Sequence, residues 1–394
     1  MGPMGPMGGH AEPTLVLRAG RDRSLRRRHP WIFAGAVADV VGAPEPGDVV
    51  AVRSATGELL ARASFEPGSG ILARVWAFGD PDGAVPAVDD ELVAARLEAA
   101  VGARAPLDAR TDAVRWVHAE SDLLPGLVVD RYGPVAVCHM TCAGAGAHRD
   151  LVARWLAARP EIDAVVERTD RAGRRRPTGT PALRVLGGEW SGGPVTIHEA
   201  VPPGAPPDRD RGDRWTFEVD VATGQKTGFY LDQRDSRRLV ATVAGGRRVL
   251  DLFGYTGGFA VAAAWGGAAE VTTVDSSAPA LALAAANLAA NGLPPARLVA
   301  ADVFTDLRAR RDAGETYDLI VVDPPKLAHA EAEVRRATRA YKDLNWLACR
   351  LLAPGGLLLT FSCSGAVDPG LFQKVVFGAA LDARVDRARA GEGQ

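Results

Sequence analysis

The sequence predicts an α/β protein with a doubly wound, Rossmann-like parallel sheet at its C-terminal end, a small β-barrel at its N-terminal end and a central α+β region. Three observations lead to this prediction. From about residue 215 onward, short apolar strands alternate with helices, which is the pattern of a parallel sheet. Residues 13–78 hold closely spaced strand-like runs broken by glycine turns, as in a small barrel. A chain of 394 residues is also too long for one ordinary domain.

Proline- and glycine-rich stretches at 80–86 and 201–207 are predicted linkers, which gives domains at 13–80, 88–212 and 213–394. Hydrophobic periodicity then assigns the elements. Strands are predicted at 15–17, 48–52, 59–63, 71–76, 113–117, 127–130, 135–140, 248–253, 271–274, 297–300, 318–322 and 356–361. Helices are predicted at 89–103, 148–158, 257–266, 278–291, 303–312 and 331–352, and a basic loop at 168–176.

The composition excludes several classes of protein. Hydrophobic residues make up 47% and charged residues 24%, as in soluble globular domains. No apolar stretch approaches the roughly 18 residues that a membrane span needs, and residues 1–9 lack the pattern of a secretory signal. The four cysteines form no CxxC pair, so we expect free thiols, a cytoplasmic location and no metal site. Because the net charge is −2, contact with a nucleic acid would depend on a local patch.

The turn after the first strand of the parallel sheet is where a nucleotide-type cofactor binds. Asp251 comes just before a glycine turn that contains Gly257, and the GxGxxG spacing of NAD-binding proteins is absent. A carboxylate there would repel a pyrophosphate. It suits S-adenosylmethionine, which has no phosphate and carries an ammonium and a sulfonium, so the sequence predicts this cofactor.

Acids end the next two strands as well. Asp275 is predicted to hold the ribose hydroxyls and Asp302 the adenine amino group. An acid just beyond a strand also often caps the next helix, which is the alternative interpretation for any one of the three. The predicted cofactor-binding residues are Gln233, Arg234, Asp251, Phe253, Tyr255, Thr256, Gly257, Asp275, Ser276, Asp302, Val303, Asp323 and Pro324.

The fourth and fifth strands end in residues predicted to act on the substrate. Asp323-Pro324-Pro325-Lys326 forms a stiff acidic turn that can hold a planar base, and Cys363 ends the adjacent strand. A cysteine in a buried strand is more often an inert apolar residue, which is the expectation for Cys138, Cys142 and Cys349. Cytosine C5 is a poor nucleophile, however, and thiolate addition to C6 would activate it. We therefore predict Cys363, Asp323 and Lys326 as catalytic, with Lys326 activating the thiol or guiding a phosphate.

Several longer motifs are more specific than the acids and glycines described above. They lie at 26–33, 124–126, 226–237, 255–261, 323–326, 341–343 and 361–365. With these motifs the chain resembles the bacterial ribosomal RNA large subunit methyltransferase I family of 23S rRNA cytosine-C5 methyltransferases, over about residues 15–382. The resemblance implies an N-terminal PUA-like RNA-binding barrel, a central α+β domain and a C-terminal class I methyltransferase domain. It also implies 23S ribosomal RNA as the partner and Cys363 as the attacking thiol.

Two features depart from the family pattern. Leu123 stands where the family has a glycine, and we expect a left-handed backbone and strain at this position. Residues 382–394 have no strand pattern where the family continues with about two more strands. The C-terminal strands of the methyltransferase domain are therefore predicted to be missing or altered, which would leave one sheet edge uncovered and prone to aggregation.

RNA contacts are predicted in the basic segment 18–28, which holds six arginines and one acid and precedes Trp31 and Phe33. Arginines contact phosphates and aromatic rings stack on bases. The alternative is a solvated charged face, which we favour for the second basic run, 168–176. Lys226, Gln233 and Arg234 are predicted to fold over the methionine carboxylate and an RNA phosphate. The predicted RNA-binding residues are Arg18, Arg21, Arg26, Arg27, Arg28, His29, Trp31 and Lys226.

The residues leave three functions open. The first is an RNA cytosine-C5 methyltransferase that acts through Cys363. The second is a base methyltransferase that acts on another atom, such as guanine N7, and needs no thiol. The third is a non-catalytic RNA-binding protein with a crippled methyltransferase domain, and an NAD dehydrogenase ranks below all three because its glycine spacing is absent. The sequence does not decide between a monomer and a homodimer.

Overall fold

The computed structural model describes residues 12–68, 70–80, 83–169, 182–202, 213–328 and 330–383. The chain divides into two units, residues 1–195 with 220–228 and residues 196–219 with 229–394. Residues 170–176 of the predicted basic loop, residues 81–82 and 203–207 of the predicted linkers, and the tail after residue 383 lie outside the described residues. The predicted domain boundaries stay predictions.

The first unit begins with a mixed sheet around a small apolar core. Its elements are β1 (Thr14–Leu17), α1 (Arg23–Arg26), β2 (Trp31–Phe33), β3 (Val37–Val41), β4 (Val49–Arg53), β5 (Leu59–Phe65) and β6 (Ile71–Phe78). The strand order is β2-β6-β5-β4-β1-β3. Alternate residues such as Leu15, Val50, Val52 and Val75 are buried in its core, because side chains of a strand point to opposite faces in turn.

The central region of the same unit is a sheet covered by helices. Its elements are α2 (Asp90–Gly102), β7 (Ala113–His118), β8 (Leu127–Tyr132), β9 (Val135–Met140), α3 (Ala143–Ala147), α4 (Arg149–Ala157), β10 (Ala164–Thr169) and β11 (Ala182–Gly188). The strand order is β11-β10-β9-β8-β7. Leu97 of α2 and Leu156 of α4 pack with Trp116 and other buried residues of this sheet.

Arg168 lies in a strand and not in the basic loop predicted at 168–176. It lies within β10, pairs with Leu183 of β11 and is buried. Its guanidinium donates to the carbonyl of Gly224 at 3.0 Å, so its charge faces the protein interior and not a solvated loop.

The prediction for Leu123 is confirmed. Its backbone has φ 57° and ψ 26°, which is the left-handed region that glycine adopts easily. The side chain is 48% exposed, and the carbonyl of Leu123 accepts from Arg96 at 2.7 Å. The fold therefore holds a branched residue in a conformation that costs free energy.

The second unit contains the predicted parallel sheet. Its elements are β12 (Val195–Ala200), β13 (Arg214–Val219), α5 (Arg234–Val243), β14 (Arg248–Leu252), α6 (Gly258–Trp265), β15 (Glu270–Asp275), α7 (Ala278–Ala290), β16 (Arg297–Ala300), α8 (Val303–Asp312), β17 (Tyr317–Val322), α9 (Val334–Leu351), β18 (Leu352–Thr360) and α10 (Pro369–Asp382). The strands from β14 to β18 and the helices α6 to α9 confirm the predicted elements. The sheet order is β16-β15-β14-β17-β18, with parallel pairing throughout.

The order of these strands indicates where a ligand would bind. The chain moves outward from β14 to β15 and β16, then crosses back to β17 and β18, so β14 lies at the switch point of the sheet. Ligands of open α/β sheets bind at the carboxyl ends of strands around such a point. Leu250, Ile320 and Leu344 of α9 lie in the core beneath it.

One end of this sheet is open in the part of the chain that the structure describes. There β18 has β17 on one side and forms the sheet edge on the other. On α10, Phe377 and Leu381 are 53% and 58% exposed. The helices of the described ranges include none that is both long and apolar enough to cross a membrane.

Candidate active site at the carboxyl edge of the parallel sheet

The turn after β14 has an unusual backbone. Phe253, Tyr255 and Gly257 have φ angles of 60°, 48° and 78°, so two residues with a Cβ occupy the left-handed region. The amides of Phe253 and Gly254 both donate to the carbonyl of Val274, at 2.8 and 3.2 Å, which fixes the turn to β15. Backbone strain of this kind is typical of ligand-binding turns.

Glycine is required in this turn for reasons of space. A Cβ on Gly254 would lie 2.2 Å from Thr273 Cγ2 and 2.6 Å from Asp251 Oδ2. A Cβ on Gly257 would lie 2.8 Å from the Cβ of Ala284. The backbone of the turn therefore packs directly on the neighbouring strand and on α7.

Three acids meet beside the turn. Asp251 is fully buried, its Oδ2 is 3.5 Å from Thr273 Oγ1, and its Oδ1 has no hydrogen-bond partner among the described residues. Burial, with the charges of Asp323 and Asp275, raises the pKa of Asp251 to about 8. A cationic group bound here would stabilise the ionised carboxylate.

Asp275 is also buried, and both of its oxygens accept backbone hydrogen bonds. Its Oδ2 accepts from Tyr255 N at 3.0 Å and its Oδ1 from Ser277 N at 2.8 Å. The carboxylate therefore joins the turn after β14 to the start of α7.

The remaining predicted cofactor residues have varied positions. Asp302 is exposed and caps α8, with its Oδ1 accepting from Thr305 N at 2.9 Å, so the alternative interpretation as a helix cap applies to it. Val303 lies in the core, Thr256 is buried and Ser276 is exposed. Pro324 is buried in its turn.

Gln233 and Arg234, which were predicted together, have different contacts. The Gln233 side chain donates to Asp323 Oδ2 at 3.1 Å, which joins it to the Asp-Pro-Pro turn. Arg234 is buried, and its Nε is 3.5 Å from Glu199 Oε1. Glu199 is itself fully buried and pairs with Arg237 at 3.0 Å, a buried ion pair that the sequence analysis missed.

Cys363 lies beside the Asp-Pro-Pro turn. Its Sγ is 3.6 Å from the carbonyl oxygen of Pro324, and the residue is exposed. Cys138 and Cys349 are buried, and burial raises the pKa of the half-buried Cys142 to about 11. The fold therefore brings an accessible thiol and the turn at Asp323 to one edge of the sheet, with Lys326 exposed on the same turn.

Tyr341 and the serines around Cys363 belong to the motifs at 341–343 and 361–365. Tyr341 of α9 is fully buried, and its hydroxyl is 3.0 Å from the hydroxyls of both Ser362 and Ser364. Ser364 Oγ also accepts from the amides of Leu327 and Ala328, each at 3.1 Å. This network joins the two strand ends.

Tyr230 is a further residue that sequence reasoning missed. Its ring packs edge-on against Tyr255 with a centroid separation of 5.7 Å. Burial and the nearby Asp323 carboxylate raise the pKa of Tyr230 above its usual value, so its hydroxyl stays protonated. The motif at 226–237 contained it, but its side-chain position depends on the fold.

Asn287 of α7 and Asn291, which follows the end of this helix, bind backbone groups near the site. Asn287 is fully buried, accepts from Glu218 N at 2.7 Å and donates to the carbonyl of Thr256 at 2.9 Å. Asn291 binds both backbone groups of Thr216, at 2.8 and 2.7 Å. Both side chains thus bind β13, and Asn287 also holds the turn after β14.

The predicted RNA-binding residues of the first unit lie at its surface. Arg18, Arg21, Arg27, Arg28 and His29 are exposed. Arg26 is exposed as well, but it forms ion pairs with Asp22 at 2.8 Å and with Glu58, which reduces the positive charge of this patch.

Aromatic rings lie next to these arginines. Trp31 and Phe33 are 37% and 49% exposed, and their centroids are 6.4 Å apart in an edge-to-face arrangement. The Trp31 indole donates to Glu120 at 2.8 Å, and the Arg74 guanidinium lies 5.6 Å from its ring centroid. The indole is therefore held in place while part of its surface stays accessible.

Lys226 is an exposed residue of the first unit, with a φ of 52°. Its neighbour Thr227 is buried against Tyr132, with their hydroxyls 2.8 Å apart, so the segment 220–228 is fixed to the central sheet. Lys226 thus belongs to a different unit from Gln233 and Arg234.

Comparison with known proteins gives two family matches. Residues 209–383 match the model of S-adenosylmethionine-dependent methyltransferases, and residues 15–78 match that of PUA-like domains. Together with the sheets described above, these matches confirm the predicted fold class.

Curated relatives match nearly the whole chain. Proteins named ribosomal RNA large subunit methyltransferase I from Photobacterium profundum and Aeromonas hydrophila are each 43% identical, over 94% and 95% of this chain and 90% and 91% of their own lengths. The protein of that name from Shewanella denitrificans is 42% identical over 94% of the chain and 90% of its own length.

Solved structures share the fold. A proposed S-adenosylmethionine-dependent methyltransferase from Streptococcus mutans aligns with a TM-score of 0.73 and 22% identity, over 93% of this chain and 90% of its own. A proposed methyltransferase complexed with SAH aligns with a TM-score of 0.74 and 21% identity over the same shares.

Proposed function

Because the chain belongs to the ribosomal RNA large subunit methyltransferase I family, we propose that it methylates a base of large-subunit ribosomal RNA with S-adenosylmethionine as methyl donor. In the finer form of this proposal, the target atom is C5 of a cytosine in 23S rRNA and Cys363 forms a covalent adduct with the base. The observation that carries the finer form is the exposed Cys363 thiol 3.6 Å from the carbonyl of Pro324, on the turn that follows Asp323.

The residues around β14 fit this donor. The buried Asp251 carboxylate, with one oxygen that lacks a partner among the described residues, suits a ligand that carries positive charge. The tight turn at Gly254 and Gly257 would bring backbone, not side chains, to the ligand, and Asp275 would bind the ribose hydroxyls. When bound, S-adenosylmethionine supplies an electrophilic methyl group, which the base takes as the sulfonium sulfur leaves with the bonding electron pair.

The chain's own residues would prepare the base. The Cys363 thiolate would form a bond to C6 of cytosine, and the electrons of the C5–C6 double bond would shift to make C5 nucleophilic. With one oxygen protonated, the Asp323 carboxyl group, to which Gln233 donates at 3.1 Å, would donate to ring N3 of the base and accept from its amino group. After methylation, loss of the C5 proton to water and cleavage of the C6–sulfur bond would return the thiolate.

The exposed residues of the first unit would bind the RNA. Arg18, Arg21, Arg27 and Arg28 would contact phosphates, with Lys226 as a further cation of this unit, and Lys326 of the second unit would guide a phosphate there. His29, Trp31 and Phe33 would stack on unpaired bases, because exposed, fixed aromatic rings are the usual platform for single-stranded RNA.

The test is replacement of Cys363 by Ala, with labelled donor and unmodified 23S rRNA. We expect methyl transfer to fall by at least about a thousandfold, as for loss of a covalent nucleophile, while donor binding measured by calorimetry is retained. Cys142→Ala is the matched control and should keep full activity. Full activity of Cys363→Ala would exclude the thiol mechanism.

Mass spectrometry of the product nucleosides identifies the atom. The proposal requires 5-methylcytidine in the treated RNA. A methylated guanine would instead support the alternative base methyltransferase, and absence of donor binding by the wild-type protein would support a non-catalytic RNA-binding role.

A further inference from the structure

We infer that Tyr341, acting through Ser362 and Ser364, is a positioning residue that holds the Cys363 thiol against the Asp323 turn. The inference rests on the proposed function of Cys363 and Asp323. Its basis is that a single buried hydroxyl contacts the residue on each side of the thiol.

The Asp-Pro-Pro turn has only one backbone amide of its own, that of Asp323, which donates to the carbonyl of Leu252 at 3.5 Å. Pro324 and Pro325 have no N–H, so the turn has few donors with which to bind the next strand. The amides of Leu327 and Ala328, just after the turn, both donate to Ser364 Oγ at 3.1 Å. One hydroxyl of the loop after β18 thus fixes the exit from the turn.

Tyr341 contacts the serines on both sides of Cys363. The Tyr341 hydroxyl is 3.0 Å from Ser364 Oγ, and Ser362 Oγ donates to Tyr341 at the same distance. Ser362 also accepts from Ser364 N at 3.4 Å. The backbone of Cys363 is therefore fixed on both sides, while its own side chain remains exposed.

The Tyr341 ring itself is held independently of this network. It is fully buried and packs edge-on against Phe372 of α10 with a centroid separation of 5.3 Å. Removal of the hydroxyl alone therefore leaves the ring in place and tests the hydrogen bonds. A nucleophile displaced by about 1 Å can lose about a hundredfold in rate, so the expected effect falls on the chemical step.

The test compares Tyr341→Phe with Tyr317→Phe. Tyr317 is at the other end of β17, and its buried hydroxyl binds Glu315 at 2.6 Å and Arg310 at 2.5 Å, so its loss also removes two buried hydrogen bonds in the same unit. For Tyr341→Phe we expect kcat to fall about tenfold or more, with the KM for RNA and the donor affinity changed by less than about threefold. Tyr317→Phe should lower thermal stability and leave kcat unchanged.

A second measurement separates this inference from the proposed function. The rate at which iodoacetamide alkylates Cys363, followed by peptide mass spectrometry across pH 6–9, needs no RNA. We expect Tyr341→Phe and Ser364→Ala to change this rate at least threefold and Tyr317→Phe to leave it unchanged. If kcat and alkylation are the same in Tyr341→Phe as in the wild type, the inference is wrong, even where Cys363→Ala is inactive. If Cys363→Ala is active, the proposed mechanism fails whatever the alkylation rates are.

Discussion

Leu123 places a branched side chain in a backbone conformation that suits glycine. Its φ of 57° costs about 1–2 kcal/mol relative to a right-handed conformation. Glycine would remove this cost but would lose about 0.5–1 kcal/mol through the greater freedom of the unfolded chain. We expect Leu123→Gly to stabilise the first unit by about 0.5–1 kcal/mol, measured as a higher urea midpoint. Leu123→Ala keeps the Cβ and is the control. A midpoint for Leu123→Gly at or below that of Leu123→Ala would show that the position is not strained.

Because of Asp251, folding stability should fall as the pH rises, whereas the affinity for the methyl donor should rise. Its pKa of about 8 in the folded chain is above the ordinary value of 3.8. Between these pH values the unfolded chain releases the proton and the folded chain keeps it, so folding stability falls as the pH rises through this window. Asp251→Asn removes this loss. We expect its thermal midpoint to exceed that of the wild type by roughly 2–4 °C at pH 8, and by less at pH 5.

The same variant should lose donor affinity, because the carboxylate is the partner proposed for a positive charge. In the wild-type protein, binding a cation would displace the Asp251 proton, so affinity should rise by up to about tenfold per pH unit below pH 8. Calorimetry in buffers of different ionisation enthalpy would detect the released proton. Unchanged affinity and an unchanged pH profile in Asp251→Asn would contradict this role.

Residues next to strand ends could be predicted, and residues on helices could not. Asp251, Asp275, Asp323 and Cys363 lie at or just beyond the ends of strands whose apolar pattern is plain, so their common edge could be inferred. Asp302 follows the same rule, yet the structure shows a helix cap, because the sequence pattern is the same for both roles. The position of Tyr341 toward Ser362 depends on how α9 packs, which its periodicity alone does not fix.

Through Asn287, helix α7 binds both β13 and the turn after β14. Asn287 binds Glu218 N on one side and the Thr256 carbonyl on the other. Because Asn287 is fully buried and its loss takes a partner from two backbone groups, Asn287→Ala should cost about 2–3 kcal/mol of stability and weaken donor binding about tenfold, as measured by calorimetry. Asn291→Ala removes similar bonds to Thr216 but none to the turn. It should lose stability and keep donor affinity, and equal losses of affinity in both variants would refute a specific role for Asn287.

The strands of the parallel sheet are predicted, whereas the short or exposed strands β2 and β3 and the six-residue strands β10, β12 and β13 are not. The strands β14 and β17 are apolar because helices cover both faces of a parallel sheet, and this makes them visible in a single sequence. Strands β2 and β3 were missed, since their residues are mostly exposed and β2 has three residues. Pairing of Trp31 with Arg74 on β6 makes β2 a strand, and this contact is tertiary.

The charge of the whole molecule does not favour RNA, so binding must depend on where the charge lies. The net charge is −2, and the arginines of the segment 18–28 stand against this background. Arg26 is neutralised by Asp22 and Glu58, whereas Arg21 and Arg27 are exposed on the same surface. A bound RNA would release counterions in proportion to the phosphates that these arginines contact.

The salt dependence of RNA affinity tests this distribution of charge. Each phosphate contact with a single strand contributes about 0.7 to the slope of log K against log salt. The double variant Arg21→Ala and Arg27→Ala should therefore lower the slope by about 1.4, measured by fluorescence anisotropy on a 23S rRNA fragment. Arg154→Ala removes an exposed charge from α4 of the same unit and should leave the slope within about 0.3 of the wild type. If only total charge mattered, each arginine removed would lower the slope by the same amount, whichever variant it came from. An equal change in slope per arginine in the two variants would therefore contradict specific binding at the segment 18–28.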